Sequence, residues 1–406
     1  MENTKKNAGL TAILLAFMCM GFGDAVGPFV SLAKEKFVLS NFESQLIAFM
    51  GFIMFFLLSI PMGIIQDKTS KKMVLIIGLL VAVAGISIPI VSADSYFLFL
   101  VMVLFLGAGN AILQVAGNPI MRDVSPEGTY SRNLTFGQFV KAIGSLSAPL
   151  LTMVATNYLH MDWIKLLFPV LGILTLFTIV SVLSVDIQEK KEENAVRASF
   201  SSCFKLLGNR YVLMMVMAIF LYVGAEVCMS SGIATYMKEN FGIDITKWGI
   251  ASAGLFFVAL LLGRLSGSLI LTYISPQRFF LITCLLSLIG ILGLFAGNAT
   301  IAFISAFVVG LGFANIFPLV FSITVDNMPE RTNEISGLLV MAIVGGAFIP
   351  PLMGLLADKT SVLMGFLVPM LCVLYIMFTA FVNLRSVKKK FDEESKYRYR
   401  HRRYQQ

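Results

Sequence analysis

Four ionisable side chains, Asp24, Lys141, Glu226 and Arg264, stand inside long apolar runs, where a charge is costly unless it is paired or put to use. In helical geometry Asp24 falls about nine residues, roughly 14 Å, from the outer end of its run at 9–33. Lys141 is at a similar depth in 132–156, and Glu226 in 210–237 matches the depth of Asp24. Uncharged polar residues recur around them at helical spacing. Asn110, Gln114 and Asn118 repeat every four residues, Thr135, Gln138 and Lys141 every three, and Tyr222, Glu226 and Ser230 every four, so each set forms one stripe. A stripe of amides facing lipid would be left unsatisfied, so each must face the protein interior. Amides, hydroxyls and a tyrosine around a wet cavity offer the directional donors, acceptors and ring face that a polyhydroxylated ligand needs. The alternative is hydrogen bonding between helices for assembly. For each charge the alternative is a buried structural ion pair, and Arg264, in "GRLSG", reads as a gate or packing element.

The elements that must position these groups follow from composition. Of 406 residues 57% are hydrophobic and 13% charged, against about 25% charged in soluble domains. Apolar runs of about 20 residues, each long enough to cross a bilayer as a helix, recur throughout. Helices are expected at 9–33, 44–66, 73–92, 96–121, 132–156 and 163–185, then at 210–237, 246–273, 277–296, 299–325, 332–357 and 361–384. The reading is an all-α membrane protein of twelve helices in two six-helix bundles, 1–185 and 210–384. A cytoplasmic linker at 186–209 joins them, and a basic, unstructured tail at 385–406 follows. With both termini cytoplasmic, 23 of the 31 lysines and arginines fall on the inner side and 6 on the outer, as the positive-inside rule requires. The first run is too long for a cleavable signal peptide and lacks a small-residue cleavage site. The net charge of +8 resides mostly in the tail, which points to a lipid surface rather than nucleic acid. The five cysteines show no metal or disulfide spacing. No P-loop, H-E-x-x-H or G-x-S-x-G occurs, which argues against an enzyme, a cofactor or an ATP-driven pump.

Internal echoes support two related halves. "LAKEKF" at 32–37 returns as "YMKENF" at 236–241, "LGAGN" at 106–110 as "LGFAN" at 311–315, and "KAIG" at 141–144 as "MAIV" at 341–344. The second echo makes Asn315 the counterpart of Asn110 and a further candidate for the cavity. Two parallel halves with a site between them is the layout of rocking-bundle transporters. Pro119, Pro318, Pro350 and Pro351 are expected to bend the fourth, tenth and eleventh helices.

The loop "GIIQDKTSKK" at 63–72 resembles the major facilitator signature, with Ser70 where a second glycine is usual. Gly63 would permit close helix approach, and Asp67 and Lys68 would serve the cytoplasmic gate. "FLYVGAEVCMSS" at 220–231, "GLLVMAIVGGAFIPPLMGLLAD" at 337–358 and "SIPMGIIQDK" at 59–68 resemble the fucose permease family of proton-coupled sugar symporters. The resemblance implies the major facilitator fold, a monomer and sugar uptake. In that family an aspartate of the first helix and a glutamate of the fourth serve proton coupling. The aspartate matches Asp24; the glutamate's place is taken by Gln114, which cannot titrate. The family's glutamine of the fifth helix matches Gln138, and its sugar-contacting asparagine is replaced by Lys141. Two readings stay open: an anionic sugar held by Lys141, or a neutral hexose, deoxyhexose or amino sugar with Lys141 paired to Asp24 or Glu226. Proton coupling is preferred, sodium is possible, and an exporter of drugs or other small molecules is the rival. The loop lengths suit a bacterial inner membrane.

Overall fold

The computed structural model describes residues 2–24, 33, 36–39, 41–91, 95–189, 197–243 and 250–403. The outer part of the first predicted helix, the centre of the linker and the start of the eighth predicted helix lie outside these.

Among the described residues, the long apolar runs fold as helices, the one conformation in which a single segment satisfies its own backbone in lipid. The first half comprises α1 (Glu2–Asp24), α2 (Asn41–Lys68), α3 (Lys71–Val91), α4 (Tyr96–Val124), α5 (Tyr130–Met153) and α6 (Trp163–Ser184). A short linker helix, α7 (Phe200–Leu207), begins with a Ser199/Ser202 capping box and buries Cys203 and Leu206. The second half comprises α8 (Arg210–Phe241), α9 (Ile250–Ile270), α10 (Pro276–Leu294), α11 (Ala299–Phe313), α12 (Ile316–Asn327), α13 (Thr332–Met341), α14 (Gly345–Lys359), α15 (Val362–Gly365) and α16 (Leu367–Arg403). Among the described residues, ten helical segments are long and apolar enough to cross a membrane, and Ala8–Asp24 and Phe256–Ile270 are shorter apolar helices. Side chains sort accordingly: on α6, Ile173, Phe177 and Val180 are exposed, while Thr175 and Thr178 are buried.

Packing in one half repeats in the other. The pairs α1·α5, α3·α4, α2·α4 and α3·α6 correspond to α8·α14, α10·α11, α9·α11 and α10·α16. A shared glycine device marks the first of these. A Cβ on Gly144 would lie 2.0 Å from the Met18 carbonyl, and one on Gly345 2.0 Å from the Phe220 carbonyl. Only glycine lets these backbones touch. The halves meet along α2·α13 and α5·α9.

The prolines sit in different local settings. Helix α4 runs through Pro119 as one element, whereas the tenth predicted helix divides at Ala314 and Asn315, just before Pro318, and the eleventh at a tight turn over Ala342–Val344. Proline lacks the N–H that would bond the carbonyl four residues earlier. The carbonyl released by Pro119, that of Val115, accepts the Ser336 hydroxyl at 2.7 Å; that released by Pro318, of Ala314, faces Arg264 Nε at 3.4 Å. The tail, expected to be unstructured, continues α16 as far as Arg403; lysine, arginine and glutamate are good helix formers, and the helix is already nucleated.

Candidate functional site

Helices α1, α4 and α5 bring the first cluster together. Lys141 Nζ lies 2.7 Å from Asp24 Oδ2, and Asn110 Nδ2 donates to Asp24 Oδ1 at 2.8 Å. Gln114 Nε2 in turn donates to Asn110 Oδ1 at 3.1 Å, so the stripe on α4 is a relay of amides ending on a carboxylate. Glycine makes the approach possible: a Cβ on Gly23 would lie 2.6 Å from that of Asn110. Both Asp24 oxygens are held, and the aspartate side chain keeps 35% of its surface open against 8% for the lysine.

The second cluster joins α8 and α9 and reaches across to α5. Arg264 Nη2 lies 3.8 Å from Glu226 Oε1, and Nη1 donates to the Gln138 carbonyl at 3.3 Å. Arg264 therefore stands at the seam between the halves. Asp24 and Lys141 lie within electrostatic reach of Glu226, so two cations and two anions share one region.

Several predicted residues carry polar atoms that no protein group satisfies: Gln114 Oε1, both amide atoms of Asn118, Thr135 Oγ1 and Gln138 Nε2. Left dry, each would cost about 1–3 kcal/mol, so water or a polar ligand must serve them. Tyr222 is 1% exposed and makes a T-shaped contact with Phe313, so its ring is buried in the packing. Its hydroxyl stays within electrostatic reach of Glu226 and Arg264. Ser230 donates back to the Val227 carbonyl at 3.0 Å. Asn315 is as buried as its counterpart Asn110 but bonds differently: it donates to the Gly263 carbonyl at 2.9 Å, which ties α12 to α9 where the tenth predicted helix breaks.

At the end of the bundle that carries the linker, the signature residues form a latch. Asp67 Oδ1 accepts from Asn333 Nδ2 and Oδ2 from the Ala198 N–H, both at 2.9 Å. A Cβ on Gly63 would lie 2.8 Å from the Asn333 carbonyl. Lys68 is exposed and joins none of these contacts; Lys71 instead pairs with Asp123 at 2.6 Å. Other ties between the halves cluster here: Arg122 with Asp326 at 3.2 Å, and Ser131 with Ser322 at 2.7 Å. Sequence reasoning missed these residues. For Arg122 and Asp326 the signal was positional, since they sit in the last turns of corresponding helices of the two halves, but single charges at helix ends are common.

The family model for the Major Facilitator Superfamily matches residues 12–349 and 226–399. A glucose/galactose transporter of Brucella abortus is 29% identical over 403 residues, covering 95% of this chain and 96% of its own. The L-fucose-proton symporter of Escherichia coli is 26% identical over 394 residues, covering 87% of each chain. The crystal structure of the transporter FucP in the outward conformation superposes with a TM-score of 0.81 at 21% identity, covering 92% of this chain and 98% of that one. The chain is a multi-pass membrane protein, a member of the Major Facilitator Superfamily, and within it resembles the fucose permeases.

Proposed function

We propose that the protein is a proton-coupled symporter that takes a neutral hexose or deoxyhexose across a bacterial inner membrane by alternating access, with both termini cytoplasmic. The observation that carries this reading is the pairing of Lys141 with Asp24 beside unsatisfied amides. Asp24, Lys141, Glu226 and Arg264 balance in charge, so no cation is left over for a carboxylate-bearing sugar. What remains for a ligand is neutral and directional: Gln114, Asn118, Gln138 and Thr135, on two helices of one half. The names of the relatives, a glucose/galactose transporter and an L-fucose-proton symporter, support the same class. With the linker inside, the latch ties the two halves together at the inner face.

Isothermal titration of the purified protein with glucose, galactose, fucose, glucuronate and a sialic acid tests the substrate class. At least one neutral sugar binds, and Gln138→Ala weakens it by about tenfold or more, the loss of one or two good hydrogen bonds. Tighter binding of an acidic sugar, or of none of the five, contradicts the proposal.

A further inference from the structure

We infer that Glu226, on the second half, is the carboxylate that takes up and releases the coupled proton. This rests on the symporter reading above and assigns its missing part, because Gln114 cannot titrate and Asp24 is the more firmly tied acid. Asp24 has a lysine on one oxygen at 2.7 Å and an amide on the other at 2.8 Å. Protonating it would break a close ion pair and strand the buried Lys141 ammonium. Glu226 is held more loosely: its counter-charge, Arg264, stands 3.8 Å away. Losing the Glu226 charge also strands less. Arg264 has two other acceptors, the carbonyls of Ala314 at 3.4 Å and Gln138 at 3.3 Å. The first of these is free because Pro318 cannot bond it, so the arginine has a seat that does not depend on Glu226.

The groups facing Glu226 are Arg264 on α9, Tyr222 one turn earlier on α8, Asp24 on α1 and Lys141 on α5. Arg264 makes the device useful, because its Gln138 contact crosses between the halves. While Glu226 is ionised, it draws Nη2 of the guanidinium, and Nη1 serves that carbonyl. Once Glu226 is protonated, the guanidinium is left to the two carbonyls, and the tie across the seam strengthens. Proton occupancy thus alters what joins the bundles that must rock. The step balances simply: one proton passes from water on one side to a Glu226 carboxylate oxygen, then to water on the other.

The test uses the full chain in proteoliposomes, comparing Glu226→Gln, Asp24→Asn and wild type with labelled galactose, glucose and fucose. In Glu226→Gln, exchange of sugar between equal pools persists, even if slowed, while accumulation under an inward proton gradient falls to the equilibrium ratio. Exchange in this variant also loses its dependence on pH. Gradient-driven accumulation retained by Glu226→Gln overturns the inference. Absence of sugar exchange in the wild type sinks the symporter reading instead, so the two failures are distinct. A measurement on the wild type alone covers a variant that fails to fold: dicyclohexylcarbodiimide modifies protonated carboxyls, and peptide mass spectrometry locates the adduct. Labelling on Glu226 that rises as pH falls supports the inference; labelling on Asp24 with none on Glu226 overturns it.

Discussion

Replacing Asp24 by asparagine leaves the Lys141 ammonium, 8% exposed, without its counter-charge, whereas replacing Lys141 by methionine leaves a carboxylate that is 35% exposed. At their separation of 2.7 Å, two unit charges attract by about 6 kcal/mol at an effective dielectric of about 20, most of it offset by the cost of drying both. Removing one partner of a buried pair typically costs about 3–5 kcal/mol, because the survivor stays dry and unpaired. Asp24→Asn belongs in that range. Lys141→Met should cost less, about 1–2 kcal/mol, since Asp24 keeps its bond from Asn110 and can be hydrated or protonated. The double variant removes both charges and should recover much of the loss seen in Asp24→Asn, as in other buried pairs replaced by neutral residues. Thermal unfolding of the detergent-purified proteins, with monodispersity checked by size exclusion, reads all four forms. If Lys141→Met is as damaged as Asp24→Asn, or the double variant is no better than Asp24→Asn, the asymmetry argued from burial is wrong.

Further expectations follow from the other contacts. Gly144→Val should lower thermal stability by about 1–3 kcal/mol or more, because its first atom meets the Met18 backbone, while Gly354→Ala, with nothing within 4 Å, should leave the unfolding midpoint in place. Asp67→Ala removes two bonds from the linker-end latch; maleimide labelling of the buried Cys203 beside it, mapped by mass spectrometry, should speed up several-fold, and an unchanged rate would mean the latch is not what closes that end. Outside the membrane, burial works against the Asp162 charge, but the Lys36 ammonium and the Ile164 N–H outweigh it and hold the carboxyl below its ordinary range. That pair therefore stabilises the fold above about pH 4 and its contribution is lost as pH falls through the depressed value, so Asp162→Ala should flatten the acid limb of a stability profile and cost about 0.5–2 kcal/mol near neutrality through the lost helix cap.

The membrane helices and the polar stripes were legible in the sequence because lipid enforces a simple rule: apolar outside, polar only where a partner or water waits. Asn110 and Gln114 could be placed on one helix face from spacing alone, and the hydrogen bond between them follows that stripe. What spacing could not show was who pairs with whom. Lys141 had two candidate acids at one depth, and helix rotation and the Gly23 contact decide for Asp24. Tyr222 sits on the predicted face, but the aromatic packing of α8 on α11 covers its ring, a tertiary effect invisible in a single helix. Arg264 reads as packing or gating from "GRLSG"; only the carbonyl freed by Pro318, fifty residues away, shows why an arginine is tolerated there.

The most direct test of the account is uptake of labelled galactose, glucose, fucose and glucuronate by wild-type proteoliposomes under an imposed inward proton gradient, with and without a protonophore. The account predicts that a neutral sugar accumulates above equilibrium, that the protonophore abolishes the accumulation, and that glucuronate is not concentrated. Accumulation of glucuronate alone, or sugar uptake indifferent to the proton gradient, would contradict it.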